Sequence, residues 1–562
     1  MSADVSDVEE TRGPGEGHGD GPGDGAGPDG TAGSGDGGGS GTSPIDTSTA
    51  KVISDTFFAS TSKIVIQLLK PIRGVVLGNL LGTHLYGLMN IAVPYINIFL
   101  ILSNIGFGTA SMKLIPDYLH KGRKDLARMI YRSSAVLTMT FGSLWCILLL
   151  VFSNRIAERL AHQPDAAAPI RIYALVIPFL ALNVFYGALY LAVQRGKLRA
   201  VITFVYGFFT LILPIAAVLW RRNVNLIIGG LVTAEVIGVV LFIVLFHRRI
   251  MNRWGPTVGP LVKGMKEVFG FGYLFFFASL GWNLINSVDR LMVKFYLPTD
   301  QYGVYFMATR VITALSLVAS TVGVALIPSL TVAKESGDRT LFRKQIHGTT
   351  RIAFLALVPV VVLLYVLSRD IISLLLPSGF LPAAWLIQIL VFIGLVDIIC
   401  RTGYASLVAY GRGGTAAIAY ILAAAWNIFW NWILIPRYGL AGAAIATLSA
   451  FVVLAVFLQI MMQWISQAHV ALTNLLYPIL ISLVFPLIGL LLRDAGSIVR
   501  LFVVFVPGTA AYLLLALGTG IIRREDLEKS RLMLSPRATV PHVRLTLKIV
   551  GVMEAISRRF GR

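Results

Sequence analysis

Apolar runs of roughly 20 residues recur along this chain from about residue 55 to residue 522. Two of them read "AVLTMTFGSLWCILLLVF" (135–152) and "VTAEVIGVVLFIVLF" (232–246). A run of that length spans the hydrocarbon of a bilayer as a helix. Only 14% of the residues are charged and 56% are apolar, whereas soluble domains carry about a quarter charged. One soluble core cannot bury so many apolar runs in series. The expected fold class is therefore an all-α polytopic membrane protein. Hydropathy places about fourteen helices, near 55–80, 84–108, 132–153, 170–194, 198–220, 224–247, 270–297, 302–327, 351–368, 383–410, 414–435, 440–463, 472–492 and 498–522.

A short phrase occurs twice. "LGTHLYGL" starts at Leu81 and "LPTDQYGV" at Leu297, 216 residues later. Each copy is followed by Leu-Ile-Pro, then a Gly, then Leu-x-Arg, at offsets of 212 and 215. Ordered anchors at nearly one offset indicate an internal duplication. Each unit holds six helices, an even number, so both copies share one orientation. They form a parallel repeat of two six-helix lobes about an axis along the membrane normal, followed by two C-terminal helices. The Tyr-Gly phrase is expected at the hairpin between the first two helices of each lobe, where Gly87 and Gly303 relieve crowding.

The expected organisation is a Gly/Asp-rich tail (1–50), a first lobe (51–250), a second lobe (251–465), two further helices (466–522) and a basic tail (523–562). The first 50 residues carry ten acids and one base, Arg12, and so little apolar surface that disorder is expected. No signal-peptide pattern precedes the first apolar run. That acidic tail leaves residues 51–562 at +29, against +20 for the whole chain. The bases alternate with the spans. The 113–132 segment holds Lys113, Lys121, Arg123, Lys124, Arg128 and Arg132, the 247–266 segment holds five, and ten follow residue 522. Basic loops stay in the cytoplasm, so both termini are expected there. The pattern is a topology signal rather than a nucleic-acid surface. The two cysteines, Cys146 and Cys400, sit in apolar runs and indicate buried thiols, not a disulfide or metal site.

Ionisable residues inside spans are costly unless paired or hydrated. The first span has Lys63, Lys70 and Arg73; Lys63 is placed to snorkel. The seventh has Asp289, Arg290 and Lys294, the eighth Arg310, the tenth Asp397 and Arg401, and the sixth Glu235. The 216-residue offset superimposes Arg73 on Asp289 and Lys70 on Asn286, so the two polar stripes share a depth. Lys70, Arg73, Arg290, Lys294, Arg310 and Arg401 are the candidate lining of a wet cavity that grips an anion such as phosphate. Asp289 and Asp397 are candidates either for a coupling-ion site or for ion pairs with neighbouring bases. No phosphate-cradling GxxxxGK[ST] loop, clustered histidines or metal-ligand spacing occurs. The chain is accordingly read as a non-enzyme without cofactor.

Several stretches resemble the polysaccharide-unit (Wzx-type) flippases of the multidrug/oligosaccharidyl-lipid/polysaccharide exporter superfamily. They are "LLGTHLYGLMNIA" with "NIGFGTASMKLIPDYLHKG", "NSVDRLMVKFYLPTDQYGVYFMATRV", and above all "NIFWNWILIPRYGLAGAAIATLSAF" (427–451). The resemblance covers about residues 52–520. It implies a MATE-like fold and movement of a lipid-linked oligosaccharide, joined through phosphate or pyrophosphate, across the cell membrane for glycan assembly. It implies a polyprenyl-linked oligosaccharide and membrane lipids as partners, with glycosyltransferases or a polymerase of the same pathway nearby. Two alternatives share the fold: a peptidoglycan-precursor lipid flippase, and a MATE-type drug or cation antiporter. The antiporter would favour acids in its cavity, and here bases outnumber acids in the spans.

Overall fold

The computed structural model describes residues 49–254, 260–521, 551 and 553. The expected N-terminal tail over 1–48, nearly all of the basic C-terminal tail and the side chain of Lys63 lie outside the described residues. Eleven helical segments are long and apolar enough to cross a membrane. Leu69–His120 and Gly413–Ser466 each contain a break, at Gly82 (φ 75°) and Gly439 (φ 56°). Split at those glycines, and counted with the 36-residue helix Leu261–Tyr296, they bring the described crossings to fourteen.

The first span is the part of Thr49–Asn90 before Gly82; the second continues through Ala92–Asn104 and Phe107–His120. The third is Lys124–Arg155, and the fourth Ala167–Ala174 with Val176–Ala192. The fifth and sixth are Gly196–Trp220 and Val224–Arg249. Leu261–Tyr296, Thr299–Glu335 and Arg339–Leu375 are the seventh to ninth. The tenth joins Pro382–Leu390 to Phe392–Ala409. The eleventh and twelfth share Gly413–Ser466 about Gly439. The thirteenth is Thr473–Ser482 with Val484–Leu491, and the fourteenth Ser497–Gly518. Prolines sit inside several spans, including Pro71, Pro214, Pro328 and Pro359. Membrane helices tolerate them because neighbouring groups satisfy the freed carbonyls.

Each half has its own apolar core. Spans two to six share Phe107, Ile130, Phe185, Tyr190, Ile202, Phe242 and Phe246. Spans eight, nine, ten and twelve share Leu326, Phe354, Val358, Ile398 and Met462. The last two spans pack on the ninth through Leu367, Phe485 and Tyr512. Arg500 pins them there. It donates to both Asp370 carboxylate oxygens at 3.3 Å and to the carbonyls of Leu492 and Ala495. The outer surface is apolar; Trp220 and Trp464, for example, are 75% and 77% exposed. Such a surface suits hydrocarbon rather than water.

The repeated phrase lies where the halves cross. A Cβ on Gly87 would stand 2.3 Å from the carbonyl oxygen of Thr299, and one on Gly303 would stand 2.2 Å from that of Thr83. Thr83 and Thr299 hold the same place in the two phrases, as do Gly87 and Gly303. The contact is therefore symmetric about the repeat axis: each copy's glycine admits the other copy's backbone. The crowding that these glycines relieve comes from the opposite half rather than from within one hairpin. Thr83 donates to Asp300 at 2.8 Å, His84 lies 3.2 Å from the same carboxylate, and the Tyr302 hydroxyl donates to the Asn90 carbonyl at 2.9 Å. A second crossing joins spans two and seven further along. There Gly106 and Gly272 bring their backbones together, and Tyr118 hydrogen-bonds Glu267.

Candidate functional site

Between these two crossings lies a cavity of about 290 Å³. On span two Asn97 falls between Gly87 and Gly106; on span seven Trp282 to Arg290 fall between Gly272 and Thr299. The cavity is thus bounded at both ends by contacts between the halves. From span seven come Asn283, Asn286 and Arg290, at i, i+3 and i+7. From span eight come Thr309, Thr313, Ser316 and Ser320, at i, i+4, i+7 and i+11. Each set occupies one helical face. Gln67, Asn97, Trp282, Ser287, Asp289, Arg401, Thr447 and Phe451 complete the polar and aromatic lining.

Hydroxyl and amide groups on span faces satisfy themselves locally. Asn283 and Asn286 donate to the carbonyls of Ser279 and Trp282, at 2.9 and 2.7 Å. Thr309, Thr313 and Ser320 donate to carbonyls three or four residues earlier. This is how Ser and Thr avoid an unpaired donor in a helix within an apolar medium. It leaves their oxygens, and the amide oxygens of Asn283 and Asn286, available to a polar guest.

The charged residues divide into three places. Arg290 and Arg401 line the cavity. Arg401 Nε donates to Asp397 at 3.1 Å, and its guanidinium lies 4.0 Å from the centroid of Trp282. Asp397 is fully buried, so this pair answers a charge that would otherwise be uncompensated. Asp289 accepts from the Tyr305 hydroxyl at 2.8 Å; that hydroxyl is also 3.4 Å from Thr447. The other carboxylate oxygen of Asp289 is buried without a hydrogen-bond partner among the described residues. The second place is the ring of Phe306. Arg310 and Arg290 both lie over it, 4.5 and 5.4 Å from its centroid. Arg310 also borders a smaller crevice of about 80 Å³ between spans one, eight, nine and ten. That crevice is otherwise almost wholly apolar, lined by Val75, Met307, Leu364, Ile372 and Leu376. The third place is inside the first half. Arg73 donates to the Thr210 carbonyl at 2.9 Å, and the charges of Lys70 and Arg73 act on Glu235.

Of the six candidate cations, the structure brings Arg290 and Arg401 to the cavity and Arg310 to the apolar crevice. Lys70 and Arg73 lie with Glu235. Lys294 is 4% exposed and its ammonium is 3.5 Å from the Leu297 carbonyl at the end of its own helix, outside the cavity lining. The hydroxyl face of span eight and Asn283, Gln67 and Asn97 were not singled out by the sequence. The signal existed as a row of Thr and Ser at helical spacing. Such residues are common in membrane helices and differ little there from ordinary packing residues.

The fold and the cavity define a two-halved, multi-pass helical membrane protein with a polar chamber between its halves. The chain belongs to the polysaccharide biosynthesis protein family, whose model matches residues 52–334. A putative O-antigen transporter of Shigella flexneri is 21% identical over 65% of this chain and 87% of its own. In fold, the chain is similar to a lipid II flippase MurJ in an inward closed conformation. That match has a TM-score of 0.65 at 16% identity and covers 84% of this chain and 99% of that one. It is also similar to an inward-facing multidrug resistance MATE family transporter of the MOP superfamily. There the TM-score is 0.56 at 14% identity, over 72% and 96% of the two chains. The all-α polytopic fold expected from hydropathy and repeat, and the MATE-like fold that the family resemblance implied, are what is observed.

Proposed function

We propose that this protein is a flippase. It translocates a lipid-linked oligosaccharide, joined through phosphate or pyrophosphate, across the cytoplasmic membrane by alternating access, for assembly of a surface polysaccharide or glycan. The observation that carries this reading is the juxtaposition at Arg310 and Arg290. Arg310 lines an apolar crevice, Arg290 lines a chamber of hydroxyls and amides, and the two guanidinia lie over the same ring, Phe306. A polyprenyl tail, a phosphate and a sugar need those three environments in that order. Sugar hydroxyls cost a few kcal/mol each when stripped of water without replacement partners, and the chamber supplies partners.

Residues 51–250 and 251–465 act as the two lobes, and 466–522 as accessory helices held by Arg500. Both termini and the basic loops face the cytoplasm, which puts the Tyr-Gly crossing at the outer end. Lys70, Arg73, Arg290, Arg310 and Arg401 serve the anion during the cycle, with Lys294 a support at the outer end of span seven. Each of the two candidate coupling acids has one oxygen without a partner among the described residues; Asp289, whose other oxygen meets a neutral hydroxyl, is the better placed, since Asp397 is held by the charged Arg401. Glycosyltransferases or a polymerase of the same pathway supply and consume the substrate. The likeness to a lipid II flippase supports a second reading, in which the head group is a peptidoglycan precursor. Deleting the gene and identifying the lipid-linked sugar left on the cytoplasmic leaflet separates the two. Accumulation of a glycan unit other than the peptidoglycan precursor is expected. An unchanged lipid pool contradicts both.

A further inference from the structure

Glu235 is the acid of the first half that the cavity does not use. It lies in the sixth span, whose 26 residues hold no other acid. Asn183, from span four, donates one amide N–H to its carboxylate at 2.6 Å and one to its backbone carbonyl at 3.1 Å. The site is built for this contact. A Cβ on Gly238 would come within 3.2 Å of both polar atoms of Asn183 and within 3.1 Å of the Tyr206 ring. Asn183 is 6% exposed, and its amide oxygen has no partner among the described residues. The groups facing Glu235 come from three spans: Lys70 and Arg73 from span one, Tyr173 and Asn183 from span four, and Tyr206 from span five. Its own span adds no other acid. Arg73 in turn feels Arg310, the guanidinium at the mouth of the apolar crevice.

We propose that Glu235 is an internal competitor for the anion-binding cations, so that binding of the substrate phosphate at Lys70, Arg73 and Arg310 is accompanied by uptake of a proton onto the Glu235 carboxylate. This rests on the reading of those cations as a phosphate grip. In the empty protein, the carboxylate balances two half-buried positive charges that would otherwise be costly in hydrocarbon. An arriving phosphate supplies that negative charge itself. Carboxylate and phosphate then oppose each other in a medium that screens them poorly. Transfer of one proton from water to the Glu235 oxygen removes the conflict, and Asn183 can still bond to the neutral acid. By linkage, the reverse holds: protonation of Glu235 strengthens anion binding at these cations.

The test is calorimetric titration of the detergent-purified full-length protein with dihexyl phosphate, a diester that does not titrate between pH 5 and 8. Buffers of different ionisation heat report protons taken up per anion bound. The wild type should take up a proton and bind more tightly as pH falls, by at most about tenfold per pH unit for one linked proton. Glu235→Gln should bind at pH 8 as tightly as the wild type does at pH 5, without proton uptake and with a flat pH profile. Proton uptake by Glu235→Gln equal to the wild type's overturns the proposal, as does wild-type binding without proton uptake, which needs no variant. Arg73→Ala separates the two levels: if it binds the diester as well as the wild type, the phosphate grip itself is wrong and the competitor falls with it.

Discussion

Arg401 is held between Asp397 and the face of Trp282, and this arrangement decides what a single substitution does there. Asp397→Asn removes the ion-pair partner of a guanidinium that is 22% exposed. Breaking a buried pair from one side costs about 3 kcal/mol or more. The variant should therefore melt earlier and express less, measured by thermal unfolding in detergent, and Asp397→Asn with Arg401→Gln should recover most of the loss. A melting temperature equal to the wild type's would show that the pair carries no stability. Asp289 differs, since its partner is the Tyr305 hydroxyl. Tyr305→Phe should abolish that bond with a loss of about 1 kcal/mol. At this scale, the sequence made the charges visible because each stands out in an apolar run. It hid their assortment: Arg290 lines the chamber, Arg310 borders the apolar crevice, and Arg73 lies in the first half with Glu235 as well as Arg310 near it. It also hid the hydroxyl face of span eight, because those groups bond their own helix and look the same wherever they point.

Helices meet most closely where side chains are absent, and the two Tyr-Gly phrases show why the chain repeats them. A β-carbon at either Gly87 or Gly303 would collide with a backbone carbonyl that cannot rotate away. Gly303→Ala should hold spans two and eight apart and loosen the Thr83–Asp300 contact across the crossing. A cysteine at Asn97, within the cavity, then becomes accessible to a membrane-impermeant thiol reagent added at the outer face, where the parent protein protects it. Protection unchanged by Gly303→Ala would show that this crossing does not close the cavity. The fourteen spans were readable because hydrophobic runs of bilayer length are hard to confuse with anything else. The crossing partner was not, since a repeated phrase marks two equivalent places without saying that they touch. Nor did hydropathy reveal that spans four, ten and thirteen are each built from two short helices. Those breaks leave the apolar content unchanged.

The halves of the molecule meet at two crossings with a polar chamber between them, and loops rich in Lys and Arg alternate with spans. From that charge bias, single cysteines in the 109–131 and 247–269 segments should react with an impermeant reagent only after cells are opened. Labelling of the 247–269 segment in intact cells would invert the topology. The duplication and the order of spans were legible from the chain alone, but not all the bounds: the ninth span, expected over 351–368, runs Arg339–Leu375. The chamber was not, because it is assembled from spans one, two, seven, eight, ten and twelve, and its shape exists only once both halves are packed. Transfer of a sugar-bearing lipid between leaflets is the activity this architecture is held to perform. The most direct measurement reconstitutes the protein in vesicles carrying a polyprenyl-diphosphate oligosaccharide in both leaflets. A membrane-impermeant glycosidase then reads the fraction reachable from outside. The whole pool should become reachable with the wild type and only the outer half without protein. Arg290→Ala with Arg310→Ala should slow the approach at least about tenfold, the loss of charge-assisted phosphate bonds. A protected inner pool with the folded wild type, or full-speed transfer by the double variant, would contradict it.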